Sequence, residues 1–125
     1  MLLAYGFLRK IFEVFEKFKT PIDMITTSEV AVSVTIDNDA HLDQIIEELN
    51  NIALVEVERN QTIVSIVGNE IAKTEEVLNK LFQAINEIPV TMVSYGGSPH
   101  NISLLIPSAY KIKTLQLINK GLFHL

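Results

Sequence analysis

The spacing of apolar positions predicts a helix near the start of the chain. From residue 7 onward, apolar side chains recur every three or four residues, and the pattern stops at Thr20 and Pro21. Proline disfavours helical geometry in the residue before it, so the helix is expected to end there. The members of the apolar stripe are Phe7, Leu8, Ile11, Phe12, Phe15 and Phe18.

The pattern then changes from helical spacing to alternation. Residues 22–26 form a short apolar run, and residues 30–36 alternate aliphatic side chains with small or polar ones. Alternation predicts two strands that each bury one face. A second helix is predicted from the stripe Leu42, Ile45, Ile46 and Leu49, and residues 54–58 are expected to form another strand.

After Gly68 the same plan begins again. Apolar residues 77, 78, 81, 82, 85 and 88 each lie 70 positions after a member of the first stripe. The segment "PVTMVS" from Pro89 is similar to "PIDMIT" from Pro21. A closing helix is expected to turn Ile112, Leu115 and Ile118 inward. The chain is therefore predicted to contain an internal repeat, with one domain at residues 1–60 and a second at residues 61–125.

The repeated unit predicts an α+β fold with antiparallel sheets and helices on one face. A complete ferredoxin-like unit needs a strand before its first helix and another after its second. The first repeat has only residues 1–4 where its leading strand should be, and no strand follows the last helix of the second repeat. We therefore expect two tandem ferredoxin-like modules, each completed by an upstream strand, within a fragment of a longer protein.

Composition and charge narrow the class of function. The chain has 48% hydrophobic residues, no cysteine and a formal net charge of −5, and its basic residues do not cluster. Nucleic acid is an unexpected partner for such a chain, and no segment predicts a signal peptide or a membrane span. We expect a protein of the cytoplasm. Phosphate-binding loops, thiol nucleophiles and metal-binding spacings are all missing, so no catalytic residue, metal or cofactor is predicted.

Comparison of the two repeats isolates candidate chemistry. Asp23 corresponds to Thr91, and the turn "TTSE" corresponds to "YGGSPH", although the apolar skeletons agree. Alternation should turn Ile22 and Met24 toward the helices and Asp23, Ile25 and Thr27 away from them. An acid beside a helix N-terminus makes a site with two ends, because free N–H groups at Gly6, Phe7 and Leu8 attract a carboxylate and Asp23 attracts an ammonium.

The simpler reading of the same residues is structural. An aspartate near the start of a strand is usually solvated or paired with a surface lysine, and a Thr-Thr-Ser-Glu cluster is an ordinary polar turn. Composition and spacing alone favour this reading for each residue taken singly.

Several segments resemble a known family. "GFLRKIFEVFEKFKTPIDMITTSEVAVSVTID", "VGNEI" and "SYGGSPHNISLLI" are similar to the C-terminal regulatory region of lysine-sensitive, monofunctional aspartate kinases, which is a tandem of ACT domains. The resemblance implies that one module is inserted within the other and takes a strand from upstream. It also implies that the kinase domain, with its ATP and magnesium, lies outside this sequence, so that the fragment itself catalyses nothing.

The resemblance also implies a ligand site. L-lysine would be bound at the first module and at the seam of a homodimer, where Thr27, Ser28 and Glu29 of one chain close the pocket of the other. The implied effector-binding residues are Met1, Gly6, Phe7, Leu8, Ile22, Asp23, Thr27, Ser28 and Glu29. Ala4 and Pro21 replace serines of some relatives, which removes two possible hydroxyl contacts.

The function implied by the resemblance is feedback inhibition of aspartate-family biosynthesis by lysine, acting through the N-terminal kinase domain. Two alternatives stay open. In the first, the chain is a structural dimerisation module without an effector. In the second, it is an ACT sensor of another ligand such as threonine, methionine or S-adenosylmethionine. The second module is expected to serve packing or dimerisation.

Overall fold

The computed structural model describes residues 5–28, 31–68, 75–95 and 101–123 of the chain. The chain divides into two units, unit one at Met1–Val57 and unit two at Glu58–Leu125. The repeat in the sequence predicts this boundary after residue 60. The assignment of each unit as one module of a tandem stays a prediction.

Unit one packs two helices on a two-stranded antiparallel sheet. Its described elements are α1 (Phe7–Lys17), β1 (Ile22–Thr27), β2 (Val32–Ile36) and α2 (Leu42–Leu49). The stripe of α1 forms a buried cluster with Ile45 of α2, and aliphatic side chains of both strands pack against that cluster. Burial confirms the predicted stripe at Phe7, Ile11 and Phe15, whereas Phe12, also predicted to lie on it, is 41% exposed.

A tight turn at the end of α1 sends the chain back along the helix. The N–H of Thr20 donates to the Phe15 carbonyl and the N–H of Lys19 to the Glu16 carbonyl, both at 2.9 Å, while Lys19 adopts a φ of 49°. This is the Schellman motif, with a lysine at the left-handed position and Pro21 following it. Because Ile22 then packs on the same cluster as α1, β1 runs in the opposite direction to the helix.

A β-bulge interrupts the pairing of β1 with β2. The register places Ile22 opposite Ile36 and Ile25 opposite Val34. Asp23 and Met24 of β1 therefore lie opposite a single residue of β2, Thr35. An extra residue of this kind bends the strand and changes the direction in which its side chains point.

Exposure along β1 alternates as the sequence predicts, since Asp23, Ile25 and Thr27 are exposed and Met24 is buried, but the bulge changes the pairing of the residues that follow it. Beyond the bulge, Ile25 lies opposite Val34 and Thr27 opposite Val32, and both valines pack against the helix cluster. Directly opposed residues share one face of an antiparallel pair, so Ile25 and Thr27 share a face with these valines, although both are exposed. Met24 is buried but is not a member of the cluster beneath the helices.

Unit two is a three-stranded antiparallel sheet with helices packed on it. Its described elements are β3 (Gln61–Val67), α3 (Glu75–Ala84), β4 (Met92–Ser94), β5 (Asn101–Pro107), a 3₁₀ turn (Ser108–Tyr110) and α4 (Lys111–Leu122). The strand order is β3-β5-β4, and the central strand β5 is buried from Ile102 to Ile106. The α+β class with antiparallel sheets is thus confirmed.

The strand predicted at residues 54–58 is absent from the structure. Leu54 is 90% exposed and Val57 is 46% exposed, although both were expected to pack in a sheet. A strand requires a hydrogen-bonded neighbour, and none of the strands in the described ranges pairs with this segment. Residues 1–4, where the leading strand was expected, lie outside the described residues.

The inward face predicted for α4 is wrong for two of its three residues. Ile118 is buried, but Ile112 is 70% exposed and Leu115 is 42% exposed. Close packing against α3 determines the face, because a Cβ added at Gly121 would lie 2.6 Å from the Cβ of Ala84. The face that contains Gly121 therefore turns inward, and it brings Thr114 into the core with Ile118.

Candidate functional site

The structure describes seven of the nine residues predicted to bind an effector. Met1 and Glu29 lie outside the described residues. The others form three groups in unit one, which are the start of α1, the start of β1 and the end of β1.

The start of α1 leaves backbone donors available. Gly6 is the N-cap, its φ of 78° is left-handed, and it makes no side-chain cap hydrogen bond. The first intrahelical bond runs from the Lys10 N–H to the Gly6 carbonyl at 3.1 Å, so the N–H groups of Phe7, Leu8 and Arg9 precede any intrahelical acceptor. The first turn also has no acidic side chain. Among the described residues, nothing caps this positive end, which attracts an anion.

Asp23 lies exposed at the bulge of β1. Among the described residues, its carboxylate makes no hydrogen bond and no ion pair. The next residue, Met24, donates its N–H to the Oγ1 of Thr35 across the bulge, at 2.9 Å. The carboxylate is therefore held on an irregular but hydrogen-bonded piece of strand, and it is free to bind a cation.

The end of β1 contributes hydroxyl groups. Thr27 and Ser28 are both exposed, and the N–H of Ser28 donates to the Ala31 carbonyl at 2.9 Å. This bond closes the connection from β1 toward β2. The first three residues of the predicted polar turn, Thr26, Thr27 and Ser28, therefore belong to the end of β1 and to this connection.

Within one copy of the chain, these three groups do not all meet. A helix of 11 residues is about 16 Å long, and β1 returns along it. The end of β1 therefore lies near the start of α1, whereas Asp23 lies near the other end of the helix, about 13 Å along the strand from Thr27. The direction of β1 therefore sets Thr27 and Ser28 toward the start of α1 and Asp23 toward its end.

A cleft of about 350 Å³ lies between α1 and the end of α2. Its lining residues are Lys10, Glu13, Val14, Lys17, Glu48, Asn51 and Ile52. The Nζ of Lys17 forms an ion pair with the Glu48 carboxylate. None of the predicted site residues lines this cleft. Its lining contains both lysine and glutamate side chains, but no acid–base pair lies in an apolar environment there.

Other kinds of site find no support in the described part of the chain. No group of three histidine, cysteine or acidic side chains there could hold a metal ion. Among the same residues, no helix is both long enough and apolar enough to cross a membrane.

Sequence reasoning missed Thr35, whose hydroxyl holds the bulge. Asp23 was found because it differs from its counterpart in the repeat, but the register shift beside it leaves no mark in the pattern of apolar residues. A threonine in a strand of valine and isoleucine is common, since its branched side chain favours strands. Only the pairing of β1 with β2 reveals what its hydroxyl does.

Comparison with known proteins gives this arrangement a context. A family model described as "ACT domain" matches residues 64–122, which lie in unit two. A structure from Porphyromonas gingivalis W83, assigned as the C-terminal regulatory domain of aspartate kinase, is 41% identical. It has a TM-score of 0.86 and covers 98% of this chain and 84% of that chain.

A second relative is an enzyme of Escherichia coli. The lysine-sensitive aspartokinase 3 of strain K12 is 32% identical over 99% of this chain and 29% of its own length. Structures of E. coli aspartokinase III match with a TM-score of 0.88 in complex with aspartate and ADP (R-state), and 0.82 with lysine and aspartate (T-state). They are 31% and 30% identical, and each match covers 98% of this chain and 29% of that chain.

The fold and these matches first define a class, the ferredoxin-like regulatory domains of the ACT type. More particularly, the chain belongs to the family of C-terminal regulatory regions of aspartate kinases. It spans only 21% to 29% of the length of curated aspartokinases that it matches.

Proposed function

We propose that this chain is the lysine sensor of an aspartate kinase and that unit one binds L-lysine. The observation that carries the proposal is a pair of complementary charges in unit one. These are a helix N-terminus without a side-chain cap and an aspartate that has no partner among the described residues. A relative 30% identical over nearly the whole chain was crystallised with lysine and aspartate, which supports lysine as the effector.

The two ends of the site match the two ends of an amino acid. The free N–H groups at the start of α1 would receive the carboxylate of lysine, because they point along the helix axis at its positive end. Asp23 would receive an ammonium group through a charge-assisted hydrogen bond. Hydroxyls of Thr27 and Ser28 lie beside the carboxylate end and would complete the polar lining.

Two copies of the chain are needed to build this site. Since Asp23 lies at the far end of α1 from the carboxylate-binding turn, one lysine cannot reach both groups in one chain. Antiparallel pairing of the β1 edges of two copies would set the start of one β1 beside the end of the other. Each pocket would then combine Gly6, Phe7 and Leu8 of one chain with the partner's Asp23.

This arrangement changes one detail of the sequence prediction. The resemblance placed the start of α1 and Asp23 in the same chain and brought Thr27, Ser28 and Glu29 from the other. The direction of β1 instead favours a pocket in which the start of α1 and the end of β1 belong together. Ile22 and Asp23 would come from the partner copy.

Regulation follows from a site that spans two chains. Lysine would favour one arrangement of the paired units, and that arrangement would disfavour the active form of the kinase domain. A coupling free energy of about 1–3 kcal/mol suffices for such control. The same proposal includes a kinase domain, which transfers a phosphoryl group from ATP to aspartate with the help of magnesium. It also includes a cytoplasmic setting. In this proposal unit two binds no effector and serves packing or dimerisation.

Thermal unfolding in the presence of amino acids tests the proposal. A ligand that binds only the folded state raises its stability by mass action, so L-lysine should raise Tm with increasing concentration. L-threonine, L-methionine, S-adenosylmethionine and D-lysine are the controls. A rise with one of the first three instead of lysine would identify a sensor of that ligand. Dimerisation with no shift from any of them would identify a structural module.

A subunit-mixing experiment tests the shared pocket. Asp23→Ala removes the cation-binding end, and Leu8→Asp places a negative charge where the ligand carboxylate would bind, at a helix end that tolerates acids. Each variant alone should bind lysine much more weakly than the parent chain. Refolding the two together should restore binding, because half of the pockets in a mixed dimer contain neither substitution. Failure to restore binding in a proven mixed dimer would place both groups in one chain.

A further inference from the structure

The bulge of β1 suggests a role for Thr35, a residue that is not among those proposed to contact the ligand. Regular pairing would place one residue of β1 opposite each residue of β2. Here Asp23 and Met24 share Thr35 as their counterpart, while pairing resumes normally at Ile25 with Val34. Asp23 therefore stands at the point where the strand departs from regular geometry.

The hydroxyl of Thr35 closes this irregular point. It accepts the N–H of Met24 at 2.9 Å in a partly buried setting, and Met24 itself is only 7% exposed. A backbone N–H buried next to a bulge requires an acceptor, because leaving it unpaired is costly. The conformation of residues 23–24, and with it the direction of the Asp23 carboxylate, thus depends on one side-chain hydrogen bond.

Unit two shows the alternative at the corresponding place. A displacement of 70 residues makes Leu105 the counterpart of Thr35. In the segment that begins at Pro89, which lies 68 residues after the one at Pro21, Thr91 is the counterpart of Asp23. There the N–H of Thr91 donates to the backbone carbonyl of Leu105 at 2.8 Å, and pairing is regular from Met92 to Ser94. The chain can therefore make this crossing with backbone acceptors alone, and a hydroxyl acceptor at residue 35 is a particular feature of unit one.

We propose that Thr35 is a positioning residue of the effector site, which aims the Asp23 carboxylate by holding the bulge through the Met24 N–H. This inference rests on the proposed binding of an amino acid by Asp23. Thr35 acts through the backbone of its neighbour across the sheet, and it sets affinity without touching the ligand.

Two substitutions at residue 35 separate the hydroxyl from the shape of the side chain. Thr35→Val keeps the branched shape and removes the acceptor, whereas Thr35→Ser keeps the acceptor and removes a methyl group. By isothermal titration calorimetry, Thr35→Val should weaken L-lysine binding about tenfold or more, corresponding to loss of an aligned charged contact. Thr35→Ser should stay within about threefold of the parent chain.

A matched control lies on the same strand. Ser33 is exposed two residues before Thr35 and pairs with Thr26 beyond the bulge. Ser33→Ala therefore removes a hydroxyl from the same strand without touching residues 23–24, and lysine affinity should not change. Equal losses in Ser33→Ala and Thr35→Val would overturn the positioning role.

A double-mutant cycle shows whether Thr35 acts through Asp23. In an Asp23→Ala background the Thr35→Val substitution should have no further effect on residual lysine binding, because the group that it positions is absent. Independent, additive losses would overturn the inference. Thermal unfolding of each variant reports any general loss of stability separately.

Failure of the proposed function is distinguishable from failure of this inference. If the parent chain binds no lysine, the proposed function fails. The positioning role of Thr35 is then tested alone by NMR. Thr35→Val should then shift the carboxyl resonance of Asp23 and speed exchange of the Met24 amide, while the Thr26 amide stays unchanged. An unshifted Asp23 carboxyl resonance would overturn the inference whatever the ligand.

Discussion

The two units share an apolar skeleton but use their polar groups differently. In unit two, the hydroxyl of Thr91 donates to the Oε1 of Gln61 at 3.2 Å, and Ser65 and Ser103 bond each other at 2.9 Å across β3 and β5. In unit one, the counterpart of Thr91 is Asp23, which has no partner among the described residues. At this position unit two has a hydroxyl with an internal partner, whereas unit one has a charge without one among the described residues.

This difference teaches how a repeated fold separates structure from binding. Apolar positions 11 and 15 and their counterparts 81 and 85 are buried in their units, because each unit must cover its own sheet. The polar positions are under no such requirement, so a change there alters what the unit binds without altering its core. A charge without an internal partner is the expected mark of the unit that binds.

The largest effect should come from removing that charge. Asp23→Ala should weaken lysine binding by about 2 kcal/mol or more, since loss of one partner of a charged hydrogen-bonded pair leaves the other unpaired. Thr91→Ala, the matched change in unit two, should alter the binding free energy by less than about 0.5 kcal/mol. Calorimetric titration measures both. Equal effects at the two positions would remove the functional distinction between the units.

The contact between α3 and α4 provides a way to disturb unit two alone. Gly121→Ala places a Cβ 2.6 Å from the Cβ of Ala84, so the helices must separate. The free energy of unfolding should fall by about 1–3 kcal/mol, as overpacking usually costs. Lysine affinity measured well below the unfolding transition should be unchanged.

Urea unfolding followed by circular dichroism measures the stability of Gly121→Ala. A variant as stable as the parent chain would show that α3 and α4 pack less closely than the structure indicates. A loss of lysine affinity in a folded variant would instead show that unit two takes part in binding.

Substitution of Gly6 tests whether the start of α1 requires left-handed backbone geometry. Its φ of 78° costs other residues about 1–2 kcal/mol, and an added Cβ would meet nothing within 4 Å. Gly6→Ala should therefore destabilise unit one through strain alone and should weaken lysine binding if the helix start shifts. Gly6→Asn is the control, because asparagine tolerates left-handed geometry. Equal stability of both variants would contradict the strained backbone.

The smallest effect concerns a buried hydroxyl of unit two. Thr114 is fully buried, and its Oγ1 has no hydrogen-bond partner among the described residues. Thr114→Val keeps the shape of the side chain and removes the unpaired hydroxyl. The free energy of unfolding should therefore rise by up to about 1 kcal/mol. Thr114→Ser keeps the hydroxyl, loses a methyl and should destabilise. A destabilised valine variant would mean that the hydroxyl has a partner.

The sequence predicted the parts of the fold that periodicity determines. The stripe of α1 and its recurrence in α3 were visible because burial of one helix face imposes a spacing of three or four residues. The strand at residues 54–58 was predicted wrongly, since alternation cannot tell whether a neighbouring strand is present to pair with it. The face of α4 was also wrong, because a close contact at Gly121 outweighed the hydrophobicity of Ile112 and Leu115.

The candidate site was only partly accessible to the same reasoning. Asp23 stood out because the repeat provided an internal comparison. Its separation from Gly6 along α1 followed only from the turn at Lys19 that reverses the chain. The role of Thr35 required the register of β1 and β2, and a slip of one residue in pairing is invisible in a string of alternating side chains.

An NMR titration of the isotope-labelled chain with L-lysine tests the central claim most directly. The account predicts saturable shifts in the amides of Phe7, Leu8, Asp23, Thr27 and Ser28, with the amides around Thr91 and Leu105 unchanged. Saturable shifts confined to unit two, or none in either unit with a chain that forms dimers, would contradict the assignment of unit one as the lysine sensor.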